Sequence, residues 1–171
     1  MKEQEPLAAE PTRIYLVGMP GSGKSTAGPL LAETLGWRFE DLDRQIEAGA
    51  GIFIPRFFEE KGEEAFRVTE TRLLHKTAAE RRLVVATGGG AVLRNIDWML
   101  EHGRVVWLDP PISELVARLA DAYKERPLLS TTSSLDLPRA VETLYRERRP
   151  FYARAHDRVS DGEALLINFV R

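Results

Sequence analysis

The sequence predicts an α/β protein with three layers, in which helices cover both faces of a parallel sheet. Short apolar or β-branched runs alternate with longer helix-compatible stretches, which is the pattern of parallel strands joined by crossover helices. Two of the runs, Leu83–Ala86 and 105–108, are continuously apolar, as expected of strands buried on both faces. The predicted strands are Arg13–Val17, 37–39, Leu83–Ala86, 105–108 and 164–169.

The composition is that of one globular domain. A chain of 171 residues with 43% hydrophobic content can bury a single core, so we expect residues 13–171 to form one domain. Residues 1–12 are charged and interrupted by Pro6 and Pro11, and we expect a flexible tail there. Because the chain has no cysteine, disulfides and thiolate metal sites are excluded.

The net charge and the hydropathy of the chain indicate which partners and which cellular compartment to expect. A net charge of −2 argues against nucleic acid or an anionic membrane as a partner held by bulk electrostatics. No segment resembles a signal peptide, and no apolar run is long enough to span a membrane. We therefore expect a cytoplasmic protein.

The first predicted strand leads into the glycine-rich stretch GMPGSGKST at residues 18–26. It fits G-x-x-x-x-G-K-[ST] between a strand and a helix, where converging backbone N–H groups and the helix dipole cradle phosphates. Lys24 is predicted to reach the β- and γ-phosphates, and the Ser25 hydroxyl to bind Mg²⁺. The alternative is a glycine-rich turn with an exposed lysine. The predicted ATP-binding residues of the loop are Gly21, Ser22, Gly23, Lys24, Ser25 and Thr26.

Because Pro29 falls inside the next helix, we expect a bend there or a helix that begins only after it.

Two acids, Asp41 and Asp43, follow the second predicted strand. In an extended backbone, residues two apart face the same side, so both carboxylates would point beyond the edge of the sheet. Near a phosphate, one acid can hold the water shell of Mg²⁺ and the other can orient an acceptor hydroxyl and take its proton. The alternative is that Asp43 only caps the next helix.

An arginine and a glycine run also point to an anionic acceptor. Arg67 lies four residues after Glu63 and three before Glu70 on a predicted helix, so two carboxylates can hold its guanidinium. A guanidinium held in this way can bind a substrate carboxylate, although a surface salt bridge has the same spacing.

Three glycines end the third strand and predict that other groups approach the main chain closely, unless they form a simple tight turn. They are Gly88, Gly89 and Gly90.

Residues 121 to about 135 are polar and separate two predicted helices, which favours a mobile lid over a disordered linker. Closure would bring Arg126 over the transferred phosphoryl group and exclude water. In the next helix, Arg148 continues the apolar face formed by Leu137, Val141 and Leu144. Its side chain therefore either extends to the surface or points into the site.

These motifs together resemble the shikimate kinase family. GMPGSGKST, DLD, GEEAFRVTE, VVATGGGAVL, ERPLL and RERRPFY occur in the order of that family between residues 14 and 152. The resemblance implies a five-stranded parallel sheet of the nucleoside-monophosphate-kinase type with strand order 2-3-1-4-5. It further implies that ATP and Mg²⁺ are bound and that the γ-phosphoryl group passes to the 3-hydroxyl of shikimate, on the route to chorismate and the aromatic amino acids.

The resemblance also implies roles for individual residues. Asp43 matches the acid that binds the acceptor hydroxyls, and Asp41 the acid near the waters of the metal. Arg67 and Arg148 match the pair that binds the shikimate carboxylate, in a pocket also lined by Gly88, Gly89 and Gly90. Arg126 matches the lid arginine, and Arg118 is the candidate for stacking on adenine. Lys24, Asp43 and Arg126 would then carry the catalysis.

Without the resemblance, the residues predict only a Mg²⁺-dependent nucleotide phosphotransferase whose acceptor is a small hydroxylated anion. One alternative is a gluconate-type sugar-acid kinase, which needs the same loop and cations. Another is a regulatory module that binds ATP without transferring phosphate. A monomer is expected for a kinase of this size.

Overall fold

The computed structural model describes residues 12–125 and 136–169. It contains a five-stranded parallel sheet with the order β2-β3-β1-β4-β5, which confirms the order implied by the resemblance. The predicted tail, apart from Thr12, lies outside the described residues. So does the predicted lid from residue 126 onward, including Arg126. The predicted start of the lid at residue 121 was wrong, because residues 121–125 are helical.

Helices connect the strands in the order of the chain. The strands are β1 Arg13–Val17, β2 Arg38–Asp41, β3 Leu83–Ala86, β4 Arg104–Leu108 and β5 Asp157–Val159. The helices are α1 Lys24–Leu35, α2 Leu42–Ala50, α3 Ile54–Lys76, α4 Val92–His102, α5 Ile112–Glu125, α6 Leu137–Tyr152 and α7 Gly162–Phe169. A 3₁₀ turn, Thr77–Ala79, follows α3.

The three central strands are buried on both faces. Alternate residues of β1 point to opposite sides, so that Tyr15 and Val17 join one core and Ile14 and Leu16 the other. The first core includes residues of α4 and α6, and the second includes residues of α1 and α7. This arrangement confirms the prediction of helices on both faces. In the part of the chain that the structure describes, none of the helices combines the length and the apolar character that a membrane crossing requires.

The prediction of the fifth strand was wrong. Residues 164–169 lie in α7, and the fifth strand is the short, charged segment Asp157–Val159. An apolar run of six residues fits a buried strand or a buried helix equally well. Here the Asp161 carboxylate accepts a hydrogen bond from the backbone N–H of Ala164 at 2.8 Å and so favours the helix.

Two prolines lie inside helices. Helix α1 begins at Lys24 and contains Pro29, so the expectation that the helix would begin only after this proline was wrong. Helix α6 likewise contains Pro150 and ends at Tyr152. The second strand, Arg38–Asp41, lies slightly later in the chain than predicted.

Candidate active site

The loop between β1 and α1 has the backbone that its glycines predict. Gly18 has a φ of 145°, and a Cβ atom there would lie 2.4 Å from the carbonyl oxygen of Leu108. Gly23 also has a positive φ, of 95°, and forms the N-cap of α1. Only glycine fits the first position without displacing the end of β4, because both the conformation and the space exclude a side chain.

Lys24 is folded back onto this loop. Its Nζ atom donates to the carbonyl oxygens of Gly18 and Met19, both at 2.9 Å, and to Ser22 Oγ at 3.2 Å. The side chain is buried, and this burial is the main cause that lowers the pKa of Lys24 to about 8. The nearby carboxylates of Asp43 and Asp41 act in the opposite direction. Lys24 is therefore a buried cation held at the phosphate loop, not the exposed lysine of the alternative interpretation.

The loop opens onto a cavity of about 710 Å³. All the predicted loop residues from Gly21 to Thr26 line it, and so does Arg118 of α5. The Arg118 guanidinium donates to the carbonyl oxygen of Gly21 at 3.1 Å and to Glu114 at 2.8 Å. The structure thus brings the candidate for adenine binding to the phosphate loop.

Several residues that line this cavity were not predicted from the sequence. They are Leu30 of α1 and, around the start of α7, Asp161, Gly162, Glu163 and Leu166. The last four lie where the chain passes from β5 into α7, at the carboxyl edge of the sheet where ligands bind in such folds. The misplaced fifth strand hid this position, and a correct strand boundary at Val159 would have revealed it.

Ser25 and Asp41 form an oxygen pair at the base of the same loop. Ser25 Oγ donates to Asp41 Oδ2 at 2.6 Å, and the other oxygen of Asp41 accepts from the N–H of Arg44 at 3.2 Å. Asp41 therefore caps α2, so the alternative that Asp43 is the cap was wrong. For both carboxylates to face the same side, the backbone had to stay extended through Asp43. Instead it turns into α2 at Leu42.

This pair has the chemistry of a magnesium site. A hydroxyl and a carboxylate are hard oxygen donors, and Mg²⁺ is bound through few protein ligands while it keeps several waters. Among the described residues, no cluster of three or more His, Cys, Asp or Glu side chains is arranged to enclose a metal ion. The residues thus fit a metal held jointly by the protein, water and phosphate.

The glycine segment after β3, Gly88 to Gly90, lies against charged side chains. A Cβ atom at Gly88 would lie 2.5 Å from Glu70 Oε1 and 2.8 Å from Asp43 Oδ1. One at Gly90 would lie 2.6 and 2.7 Å from the two terminal nitrogens of Arg67. None of the three glycines has a positive φ, so the close approach of side chains, and not backbone conformation, requires glycine here.

Gly89 lies between the two halves of the site. A Cβ atom there would lie 3.0 Å from Arg148 Nη1 on one side and 2.7 Å from Cδ of Pro20, in the phosphate loop, on the other. The backbone N–H groups of the glycine segment donate to no other described residue. The glycine segment therefore brings the predicted acceptor residues Asp43, Arg67 and Arg148 together beside the phosphate loop.

Arg67 is buried and held by two carboxylates. Its Nη1 atom donates to Glu70 Oε2 at 2.9 Å, while Nε and Nη2 lie 3.4 and 3.3 Å from Glu63 Oε1. The side chain of Arg67 is 11% exposed and that of Glu70 only 1%. The helical spacing thus predicted the contacts correctly, and the alternative of a surface salt bridge was wrong.

Three charged atoms beside the glycine segment have no hydrogen-bond partner among residues 12–125 and 136–169. Within the described residues, Asp43 Oδ1, Glu70 Oε1 and Arg148 Nε are buried and make no hydrogen bond. Burial, together with the negative charges of Glu70 and Asp41, raises the pKa of Asp43 to about 6. Burial also raises the pKa of Glu70. An aspartate whose pKa lies just below neutrality is suited to accept a proton during catalysis.

Comparison with known proteins identifies the family. The family model for shikimate kinase matches residues 20–167. The shikimate kinase of Gloeobacter violaceus is 49% identical over 148 residues, covering 86% of this chain and 82% of the relative. That of Synechococcus elongatus is 46% identical over 148 residues, covering 86% of this chain and 76% of the relative.

The fold agrees with the sequence match. The structure of the shikimate kinase from Acinetobacter baumannii in complex with shikimate superposes with a TM-score of 0.83 at 36% identity. The alignment covers 95% of this chain and 92% of that one. Sequence, fold and site therefore agree, and this chain belongs to the shikimate kinase family.

Proposed function

We propose that this kinase transfers the γ-phosphoryl group of ATP to the 3-hydroxyl of shikimate, with ATP in the 710 Å³ cavity and shikimate beneath the glycine segment. The observation that carries the proposal is the position of Gly89. It packs against Pro20 of the phosphate loop and against Arg148 of the acceptor pocket. A phosphate held by the loop and a hydroxyl held by the pocket would then be neighbours, as in-line transfer requires.

Asp43 acts on the acceptor hydroxyl. Its unpartnered Oδ1 atom accepts the hydrogen bond of the hydroxyl and takes its proton as the oxygen attacks the γ-phosphorus. With a pKa of about 6, Asp43 is ionised in most molecules at neutral pH. The nearby Lys24 ammonium stabilises this ionised form.

Arg67 and Arg148 bind the carboxylate of shikimate. Arg67 is fixed by Glu63 and Glu70, so its planar guanidinium is pre-organised and loses little conformational entropy on binding. The free N–H groups of the glycine segment supply further donors beside it. This arrangement favours a small anion with hydroxyl groups, as the residues alone predicted.

The nucleotide side uses Lys24, Ser25, Asp41 and Arg118. When phosphates enter, Lys24 exchanges the loop carbonyls for the β- and γ-phosphate oxygens. Ser25 and Asp41, the latter through a water, would hold Mg²⁺, which would neutralise charge on the phosphates. Arg118 packs against the adenine. Arg126, outside the described residues, is assigned to the transferred phosphoryl group on the resemblance alone.

Competition between acceptors tests this function. Purified enzyme with ATP and Mg²⁺ should release ADP rapidly with shikimate and only at the background rate with gluconate, and ³¹P NMR should detect a phosphate monoester of shikimate. Membership of the family supports shikimate over gluconate, and transfer over nucleotide sensing. ADP release that no hydroxy acid accelerates would refute the proposal.

A matched pair of arginine variants tests the pocket. Arg67→Lys should raise the KM for shikimate at least about tenfold and leave the KM for ATP nearly unchanged, because an ammonium cannot reproduce the two-pronged contact. The control is Arg146→Lys, because Arg146 also pairs with a glutamate one helical turn away but is 75% exposed. Equal effects of Arg67→Lys on both substrates would contradict the assignment.

We also propose a cytoplasmic monomer with a single domain and a lid in the part of the predicted segment 121–135 that follows α5. One chain supplies the residues of both halves of the site, so catalysis requires no second copy. Sedimentation at the concentration of the assay tests this, because activity confined to a dimer fraction would refute it.

A further inference from the structure

Tyr152, the last residue of α6, is hydrogen-bonded to the glycine segment after β3. Its hydroxyl donates to the carbonyl oxygen of Gly89 at 2.5 Å, and the whole residue is buried. It follows Arg148 by four residues, so the two side chains lie on the same face of α6. On the proposed function given above, we infer that Tyr152 is a positioning residue that sets the place of Gly89 and Arg148 for acceptor binding.

The phenol of Tyr152 is a fixed, permanent donor. Its ring stacks on Trp107 of β4, with centroids 5.7 Å apart and planes at 25°, so the sheet fixes its position. Burial raises the pKa of Tyr152 to about 12, although the Arg148 guanidinium acts in the opposite direction. The hydroxyl therefore remains protonated, and a donor, over the whole working range of pH.

Tyr152 holds a peptide that touches both halves of the site. Gly89 lies against Pro20 of the phosphate loop and against Arg148 Nη1, and its carbonyl is bonded to the phenol. Because the Gly89 carbonyl and the N–H of Gly90 belong to one planar peptide, the bond to Tyr152 also fixes the orientation of that N–H. Tyr152 thereby links the glycine segment after β3 to the helix that carries Arg148.

Removing the hydroxyl leaves the ring but frees this peptide. In Tyr152→Phe the partly buried Gly89 carbonyl loses the donor that holds it in place. The glycine segment and Arg148 can then shift, and the donors for the substrate carboxylate lose their common geometry. The loss falls on acceptor binding, because neither Lys24 nor Ser25 contacts Tyr152 through a hydrogen bond.

The chain offers a matched control in Tyr15. It is equally buried, and its hydroxyl is hydrogen-bonded to Thr77 Oγ1 at 3.0 Å, away from the acceptor pocket. We expect Tyr152→Phe to raise the KM for shikimate about tenfold, with kcat and the KM for ATP changed by less than about twofold. Tyr15→Phe should lower the melting temperature to a similar extent and leave the KM for shikimate unchanged. If both variants show the same kinetics, the role of Tyr152 is only structural and the inference fails.

A second measurement keeps the hydroxyl and so avoids loss of the fold. With 3-fluorotyrosine at position 152, the ¹⁹F resonance should shift on addition of shikimate without nucleotide, whereas the same label at position 15 should not respond. A resonance at 152 that shikimate leaves unchanged overturns the inference. Failure of the proposed function is distinguishable, because the wild-type protein itself would then not use shikimate.

Discussion

Replacing Asp43 by asparagine should make the protein more stable while it abolishes most of the activity. Asp43 is a largely buried carboxylate with an unpartnered oxygen, and its pKa is raised from 3.8 to about 6. A shift of one pKa unit corresponds to about 1.4 kcal/mol, so two units set an upper bound of about 3 kcal/mol. Because Asp43 is partly exposed, we expect a gain of about 2 kcal/mol at pH 8, or about 4 to 8 °C in melting temperature.

The pH dependence of this gain follows from the direction of the shift. A carboxyl group whose pKa is raised by folding costs nothing below its unfolded pKa, where it is protonated in both states. It costs progressively more as the pH rises from the unfolded pKa of 3.8 to the folded pKa of about 6, above which the cost is constant. The advantage of Asp43→Asn should therefore be full above pH 7, shrink between pH 6 and pH 4, and vanish below.

Thermal unfolding of both proteins across this pH range is the assay, with kcat measured beside it. Asp97→Asn serves as the control, because Asp97 is an exposed partner of Arg154 and its loss should change stability by less than about 1 kcal/mol. The kcat of Asp43→Asn should fall at least about a hundredfold, since the proton acceptor is gone. An unchanged melting temperature at pH 8, or a gain independent of pH, would refute the electrostatic reasoning.

Three further substitutions test other parts of the site. The value of kcat/KM should fall as the pH is lowered through about 6, where Asp43 becomes protonated. Glu70→Gln should move this fall to lower pH, because the Glu70 charge raises the pKa of Asp43. A fall at the same pH in this variant would contradict the coupling. Gly90→Ala should raise the KM for shikimate at least about tenfold while the fold is retained by circular dichroism, since the new methyl group would lie 2.6 Å from the Arg67 guanidinium. Ser25→Ala should raise the Mg²⁺ concentration needed for half-maximal rate, and an unchanged requirement would remove Ser25 from the metal site.

The sequence predicted the central strands and failed at the edge of the sheet, for physical reasons. The strands β1 and β3 are apolar on both faces, so their composition marks them at any position in the chain. The edge strand β5 pairs with a neighbouring strand, β4, along one edge only. It carries Asp157, whose carboxylate binds Arg104 at 2.6 and 2.9 Å. Both its backbone pairing and this ion pair join it to β4, about 50 residues earlier in the chain, which no local pattern reveals.

The same division applies to the active site. The glycine-rich turn between β1 and α1 and the contacts of Arg67 with Glu63 and Glu70 follow from spacing within one segment, and the structure contains both as predicted. The contact between Pro20 and Gly89 joins segments far apart in the chain, and the unpartnered state of Asp43 depends on how α2, α3 and the glycine segment pack. Local periodicity carries no information on either.

The unpartnered atoms themselves argue for what binds in the pocket. Buried polar atoms in folded proteins nearly always have a hydrogen-bond partner, and each one left without a partner costs about 1–3 kcal/mol. In the part of the chain that the structure describes, four buried polar atoms lack a partner, and three of them, Asp43 Oδ1, Glu70 Oε1 and Arg148 Nε, belong to side chains beside the glycine segment, where two acceptors and one donor remain unpaired. A ligand with hydroxyl groups and a carboxylate would satisfy both kinds of atom, because hydroxyls donate to the acids and the carboxylate accepts from the arginine.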